Sequence, residues 1–463
     1  MMPGMMQLSE AAQACSGQLT GADIEFATVG TDTRSDLSGA LYIALRGENF
    51  DGNAFVSEAA AAGAVAALVD RREQIVAPAD FPLIRVEDTR LALGALSQHW
   101  RRKFDLPVIG VTGSNGKTTV KEMCAAILAA WARSQGLDPA TAVLATQGNL
   151  NNDIGLPQMM LRLRSTHKAA VFEMGMNHPG EIAYLAGLAE PTVALVNNAQ
   201  RAHLEGMGEV FAVAREKGQI YGALDDSGVA IVNADDAHAD YWRGLNNGRR
   251  VITFGLHSDA DVSADLTQLA FGSRVRLTAF GETREFELTV PGQHNVRNAA
   301  AAVAAALAAG VPLDVAIEGM AGYTGTKGRL QVRRTAQGAV VLDDTYNANP
   351  DSVRAGIDVL ASTPGGKVLV LGDMGEIGDI SAQCHDEIGG YAKSQGIDRL
   401  LALGEHSAVA VRNFGSGGEH FDSVDDLVSA LRSMLAPDMV VLVKGSRFMK
   451  MERVVYAIAE NDK

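Results

Sequence analysis

Cysteine is scarce: three residues, Cys15, Cys124 and Cys384, stand in a chain of 463, and none forms a CxxC pair. That excludes a disulfide framework and a zinc ribbon, and it suits a reducing cytoplasm. Long apolar runs are missing too. The longest, Ala299–Val311 (AAAAVAAALAAGV), has 13 residues and is mostly alanine. A membrane-crossing helix needs about 20, so a buried helix is expected there and no transmembrane segment anywhere. The first residues, MMPGMMQLSEAAQACSG, lack a basic start and reach Glu10 early, unlike a secretory leader. Basic charge is in deficit: 40 Lys and Arg against 55 Asp and Glu leave −15 at pH 7. Nucleic-acid binders are usually basic, so no nucleic-acid partner is expected. A small basic pocket for an anionic substrate remains compatible with this balance. Repeats, low-complexity runs and long linkers are also absent.

What is present is ordinary globular composition, 47% apolar and 21% charged. At roughly 150 residues per domain the length suggests three domains. Residues 1–95 read as a small α/β unit, with a strand at Ala40–Leu45, a helix over Ala54–Ala67 and a strand at Ala67–Val69. A helix over Leu91–Phe104 leads into a second unit, residues 96–325. Buried-type strands recur there at Pro107–Thr112, Ala169–Met174, Thr192–Asn197 and Gly228–Asn233, separated by helical stretches. That pattern predicts a parallel α/β sheet. Alternating apolar and polar residues over Val262–Val290 predict a small antiparallel section at its edge. Residues 326–463 carry strands at Ala339–Asp343, Lys367–Leu371, Arg399–Leu403 and Val440–Val443, each followed by polar residues and a helix. This is a second, smaller, doubly wound, Rossmann-like domain.

The strongest local signal is Thr112-Gly113-Ser114-Asn115-Gly116-Lys117-Thr118-Thr119, between an expected strand and an expected helix. Glycines let the backbone wrap a phosphate, whose charge the N–H groups and the helix N-terminus stabilise. Lys117 is placed for the β- and γ-phosphates and the Thr118 hydroxyl for Mg²⁺. The full GxxxxGK[ST] spacing is not met, because Val111 stands where the first glycine belongs. No Asn-Lys-x-Asp guanine motif follows, so this variant P-loop suits ATP rather than GTP.

Ligands of open α/β sheets sit beyond the carboxyl ends of the strands. Glu173 stands at one such end, with Asn177 and His178 just beyond, and Asn197 and Asn198 at the next, followed by His203 and Glu205. A carboxylate beside a P-loop is a natural Mg²⁺ ligand. In the third unit, Asp343–Pro350, Gly372–Glu376 and Lys444–Arg447 each follow a strand. Three polar strand ends on one sheet edge form a second ligand surface facing the ATP domain.

These residues resemble the Mur ligase family across essentially the whole chain. The resemblance is carried by TGSNGKTTVKEM, GNLNNDIGLP (148–157), EMGMNHPGEIA (173–183), NNAQRAHLEG (197–206), REKGQIY (215–221), PGQHNVRNA (291–299), GRL (328–330), DDTYNANPDS (343–352), GDMGEIG (372–378) and LVKGSR (442–447). TDTR (31–34) and ALRGENFDG (44–52) match the N-terminal domain. One departure stands out: Gln200-Arg201 occupies the place of the Gly-Pro-type dipeptide that usually precedes the metal histidine. The resemblance implies two magnesium ions, held by Thr118, Glu173, His203 and a carbamylated Lys217. It also implies adenine contacts from Asn295 and Asn298, and nucleotide contacts from Arg329 and Asp344. Thr33, Arg34, Arg46 and Asn49 fall at the uridine-diphosphate site, and Asn177, Asn347 and Asn349 at the substrates.

The implied activity is an ATP-dependent amide ligase that joins D-alanyl-D-alanine to UDP-N-acetylmuramoyl-tripeptide through an acyl phosphate, in a monomeric cytoplasmic enzyme. Phosphate transfer of this kind rests on positioning and charge stabilisation. Two other readings stay open from sequence: a sibling ligase with a different amino-acid or folate-like acceptor, and a P-loop binding or switch protein without ligase activity.

Overall fold

The computed structural model describes residues 4–202, 207–257 and 259–460. Its first unit is a five-stranded sheet in the order Gln18–Thr20, Leu83–Val86, Ala66–Asp70, Ala40–Ile43, Thr28–Gly30, parallel except for the first pair. Successive side chains on a strand face opposite ways. Thus Tyr42, Ala67 and Val69 pack under the helix Val56–Ala61, while Leu41, Ile43, Leu68 and Ile84 face the rest of the molecule. The helix expected over Ala54–Ala67 is shorter, a 3₁₀ turn Gly52–Phe55 running into Val56–Ala61. Gly63, at φ 98°, turns the chain out of it and into the next strand. The helix Thr89–Arg101 spans residue 95 and packs into one hydrophobic core with the helices Gly155–Met160 and Glu181–Ala189 of the second unit.

The central sheet has nine strands. The buried apolar runs form its parallel part, in the order Arg250–Gly255, Val229–Asn233, Val193–Val196, Val108–Thr112, Ala169–Glu173, Val143–Ala145. Beyond Arg250–Gly255, the alternating region folds as the expected edge meander, Val262–Leu269, Gly272–Ala279 and Glu282–Leu288. Register places Val111 opposite both Glu173 and Leu195. The three central strands therefore end level, and the loops after them share one edge. The alanine run is the core of the helix Gln293–Ala308, wholly buried from Ala299 to Ala306 against the helix Lys117–Ser134.

The third unit is a six-stranded sheet in the order Gln331–Arg334, Val340–Asp344, Met439–Lys444, Gly366–Gly372, Arg399–Leu403, Gly418–Phe421. Only the first strand is antiparallel, and both faces are covered by helices. Together the three units give the expected three-domain α/β architecture.

The helix that opens at Lys117 is held by a second helix, Leu313–Ala321, at a crossing that leaves no room for a side chain. A Cβ on Gly319 would lie 2.5 Å from the Ile127 Cα. Overpacking of that kind costs about 1–3 kcal/mol. Gly319→Ala is expected to lower the unfolding free energy by that amount, measured by chemical unfolding; an unchanged free energy would contradict the close crossing.

Candidate active site

Loop 112–117 leaves the strand Val108–Thr112 and enters the helix Lys117–Ser134. Amide side chains fix its course. The Asn115 N–H donates to Asn198 Oδ1 at 2.9 Å, and the Asn115 carbonyl accepts from Asn197 Nδ2 at 2.9 Å and Asn198 Nδ2 at 3.0 Å. Asn197 Nδ2 also donates to Asn298 Oδ1 at 2.9 Å. Gly116, at φ 79°, fits between them: a Cβ there would sit 2.6 Å from both Asn197 Nδ2 and Asn298 Oδ1. Thr112 is buried and donates to the Met174 carbonyl at 2.9 Å, tying the loop's strand to its neighbour. The Lys117 ammonium donates to the carbonyls of Gly113 at 2.7 Å and Ser114 at 3.2 Å. Burial pulls its pKa below the ordinary lysine value, and Glu173 opposes that.

The loop forms one wall of a cavity of about 640 Å³. Lys117, Thr118 and Glu173 line it from the central domain, and Tyr346, Asn347, Asn349 and Glu376 from the third domain. Glu173 is buried, with Oε1 accepting from Asn151 Nδ2 at 2.8 Å. Its Oε2 has no hydrogen-bond partner in the structure. A buried carboxylate left half-satisfied beside a phosphate loop suits a hard cation. Among the described residues no group of three or more His, Cys, Asp or Glu side chains could hold a metal alone. A cation here would therefore draw on phosphate oxygens, the Thr118 hydroxyl and water as well as Glu173. His203 and Glu205 lie outside the described residues.

Lys217, on the helix Val210–Gly218, is fully buried. Desolvation drives its pKa far below the ordinary lysine value, and the Lys117 charge adds to this while Glu216 opposes it. The amine is thus held toward its neutral form. Glu216 itself accepts from the N–H groups of Gly180 and Ile182, at 2.9 and 3.1 Å, seating the helix that follows Asn177.

A smaller cavity of about 110 Å³ shares Asn115, Gly116 and Arg329 with the first. Thr119, His294, Asn295, Asn298, Asp344 and Lys444 line it. Asp344 accepts from the buried Lys444 ammonium at 2.6 Å. The Arg329 guanidinium lies 4.2 Å from the centre of the Tyr346 ring, and its Nε is buried without a partner.

The structure gathers most of the expected residues around these two cavities. Thr112, Gly113 and Lys217 line neither cavity, and Thr33, Arg34, Arg46 and Asn49 stand apart, in the first unit. There Arg34 is paired with Asp32 at 2.7 Å, and Arg46 with Asp51 at 2.7 Å and Glu73 at 2.6 Å. Asn349 caps the helix Pro350–Ser362, accepting from Ser352 N at 2.9 Å, and exchanges amide hydrogen bonds with Asn115. Sequence reasoning missed Arg90, which enters the large cavity from the helix Thr89–Arg101 and grips Asp153. Its one signal was the acidic partner in the GNLNNDIGLP stretch.

Burial drives His294 down to about 4, with the Asp344 charge opposing. An unfolded His titrates near 6.5. Between those values the unfolded chain takes up a proton that the folded chain refuses, so stability falls as pH drops through that window. His294→Gln removes the contribution. Its stability should fall less steeply than wild type from pH 6.5 to 4 in denaturation series; parallel curves would contradict the buried neutral imidazole.

The chain matches the profile of the Mur ligase middle domain over residues 111–306. It also matches the Mur ligase, glutamate ligase domain over 328–447 and the Mur ligase family, catalytic domain over 25–101. A relative from Escherichia coli strain K12, UDP-N-acetylmuramoyl-tripeptide–D-alanyl-D-alanine ligase, is 42% identical over 98% of both chains. The protein of that name from Haemophilus influenzae is 39% identical, over 99% of this chain and 100% of its own. Among solved structures, MurF from Acinetobacter baumannii superposes with a TM-score of 0.89 at 36% identity, covering 98% and 99% of the two chains. MurF ligase from Thermotoga maritima in complex with ADP gives 0.81 at 26% identity, covering 93% and 96%. With relatives this similar along its whole length, the chain belongs to the Mur ligase family.

Proposed function

We propose that this chain joins D-alanyl-D-alanine to UDP-N-acetylmuramoyl-tripeptide with the cleavage of ATP to ADP and phosphate, giving the pentapeptide precursor of peptidoglycan. The observation that carries this reading is the single cavity in which the phosphate loop and Glu173 face the polar strand ends of the third domain. The named relatives supply the substrates. No helix among the described residues is long and apolar enough to cross a membrane. A monomer working in the cytoplasm completes the proposal.

The residue roles are proposals as well. The triphosphate lies along Gly113–Thr119, with Lys117 on the β- and γ-phosphates. The base lies in the smaller cavity by Asn295 and Asn298, with Arg329 and Asp344 closing over the nucleotide from the third domain. Thr118 and Glu173 would hold one magnesium ion, and Glu173, His203 and carbamylated Lys217 a second, and these ions would supply positive charge to the phosphoryl oxygens. A carbamate forms from carbon dioxide and a neutral amine, the form toward which burial drives Lys217. Thr33, Arg34, Arg46 and Asn49 take the uridine diphosphate, which needs Arg34 and Arg46 to exchange their present carboxylate partners for phosphate. Asn177 contacts the peptide.

The tripeptide carboxylate attacks the γ-phosphorus, and ADP departs with the electrons of the broken bond. Lys117 offsets the charge on the transferring group. The neutral amine of the dipeptide then attacks the acyl phosphate carbonyl, phosphate leaves, and the amine's proton is lost. Because the carbonyl lies on the central-domain side, the amine arrives from the third domain, past Asn347 and Glu376. An acyl phosphate hydrolyses in water, so both walls must shield it.

Phosphate release should require both the UDP-tripeptide and D-alanyl-D-alanine, and substitution of other amines should leave it low. Stimulation by a different amine would point to a sibling ligase, and none with any pair to a binding protein. Losing a positioned charge at phosphoryl transfer costs about 100-fold or more. Lys117→Ala and Lys217→Ala should each fall by at least that much while remaining folded; near-normal release by either would remove its role.

The two asparagines of the third domain should separate. Asn347 lines the cavity, and Asn347→Ala should raise the KM for D-alanyl-D-alanine more than that for ATP or UDP-tripeptide. Asn349 is committed to the helix cap, whose loss costs about 1 kcal/mol. Asn349→Ala should therefore lower the melting temperature and weaken all three substrates together. Kinetics with each substrate varied in turn decide both, and an equal rise in all three KM values for Asn347→Ala would refute its substrate role.

A further inference from the structure

Arg201 occupies a position where the family resemblance leads one to expect a small or rigid residue, and the structure gives it an engagement that the resemblance does not supply. Residues 197–201 form a strap along the phosphate loop. On one side, the Asn198 carbonyl accepts from Ser114 N at 3.0 Å, Gln200 N donates to Ser114 Oγ at 2.9 Å, and Gln200 Oε1 accepts from Asn115 Nδ2 at 2.6 Å. On the other side, Arg201 reaches two different helices of the third domain.

Its backbone N–H donates to Asp351 Oδ2 at 2.8 Å, and its Nε and Nη2 to Asp351 Oδ1 at 3.0 and 2.8 Å. Nη1 and Nη2 also donate to the Glu387 carboxylate at 3.0 and 3.2 Å. Asp351 lies in the first turn of the helix Pro350–Ser362 and Glu387 on the helix Ser381–Ser394. Arg354 donates to Glu387 at 2.7 Å and holds that carboxylate from behind. Glu387 is kept below the usual carboxylate range by Arg201 first, against the opposing effect of burial. Isolated surface ion pairs contribute little, but two carboxylates forked on one guanidinium form the networked, bidentate exception.

We propose that Arg201 is a positioning residue for ligation: it clamps the third domain to the strap that holds the phosphate loop. Together with the Asn115–Asn349 amide pair, this clamp sets the distance between the loop and the wall carrying Asn347. Arg201 borders the same cavity, but its guanidinium is taken up by Asp351 and Glu387, and it acts through them and the strap. The proposal rests on the ligase reading of the same cavity.

The test is a double-mutant cycle on the full-length chain. Arg201→Met keeps the length of the side chain and removes its charge. It should raise the KM for D-alanyl-D-alanine about tenfold, a loss of about 1.4 kcal/mol, with less effect on the KM for UDP-tripeptide. Glu387→Gln should do so more weakly. The double variant should be no worse than Arg201→Met, because both act through one network. A wild-type KM in Arg201→Met, losses that multiply in the double variant, or a uniform rise in every KM with a lower melting temperature would each overturn the clamp. Small-angle scattering needs no substrate and separates this proposal from the ligase reading. Arg201→Met should have a larger radius of gyration than wild type, and an equal radius would overturn the clamp. Absence of phosphate release by the wild-type chain would count against the ligase reading alone, and the scattering would then decide the clamp.

Discussion

The phosphate loop is held by amide side chains from other segments. Asn197 and Asn198 stand at the end of the neighbouring strand and bind the N–H and the carbonyl of Asn115. Asn298 reaches the same knot from the helix Gln293–Ala308. An open glycine loop has many conformations, and ordering it is costly in backbone entropy. Three neutral amides meet that cost without adding charge at the place proposed for a triphosphate. They also explain why Gly116 must remain glycine, since the amides occupy the space a side chain would take.

That knot links the domains. Asn115 exchanges amide hydrogen bonds with Asn349 of the third domain, and the strap bearing Asn197 and Asn198 continues into Arg201 and its two carboxylates. The first domain is joined differently, by a shared hydrophobic core and by the Arg90–Asp153 pair. Apolar packing suits a fixed joint, whereas hydrogen bonds and ion pairs can be broken and remade in water at small net cost. The cavity is thus bounded by one firm wall and one held by reversible polar contacts, a useful arrangement for admitting large substrates and then excluding water.

Much of this was legible in the sequence. Parallel strands buried on both faces read as unbroken apolar runs, so Val108–Thr112, Ala169–Glu173 and Val193–Val196 announced themselves, and the strand-end rule then located Glu173 and the polar wall. The meander over Val262–Leu288 betrayed itself by alternation. Short strands such as Val143–Ala145 and Gly418–Phe421 gave no such signal, because few residues are too few for periodicity to show. Arg90 and Arg201 were opaque for another reason. Their partners lie 63 and 150 or more residues away, and only the folded chain makes those pairs. Asn349 both caps a helix and lines the cavity, and a sequence does not distinguish an amide that caps a helix from one that binds a ligand.

In the proposed ligation the tripeptide carboxylate attacks phosphorus inside the cavity between the central and third domains. Labelling that carboxylate with a heavy oxygen isotope tests this most directly. If the acyl phosphate forms, one labelled oxygen must appear in the inorganic phosphate released as D-alanyl-D-alanine is joined, and the other must remain in the new amide. Phosphate carrying no label, with amide formed at the normal rate, would contradict the central claim.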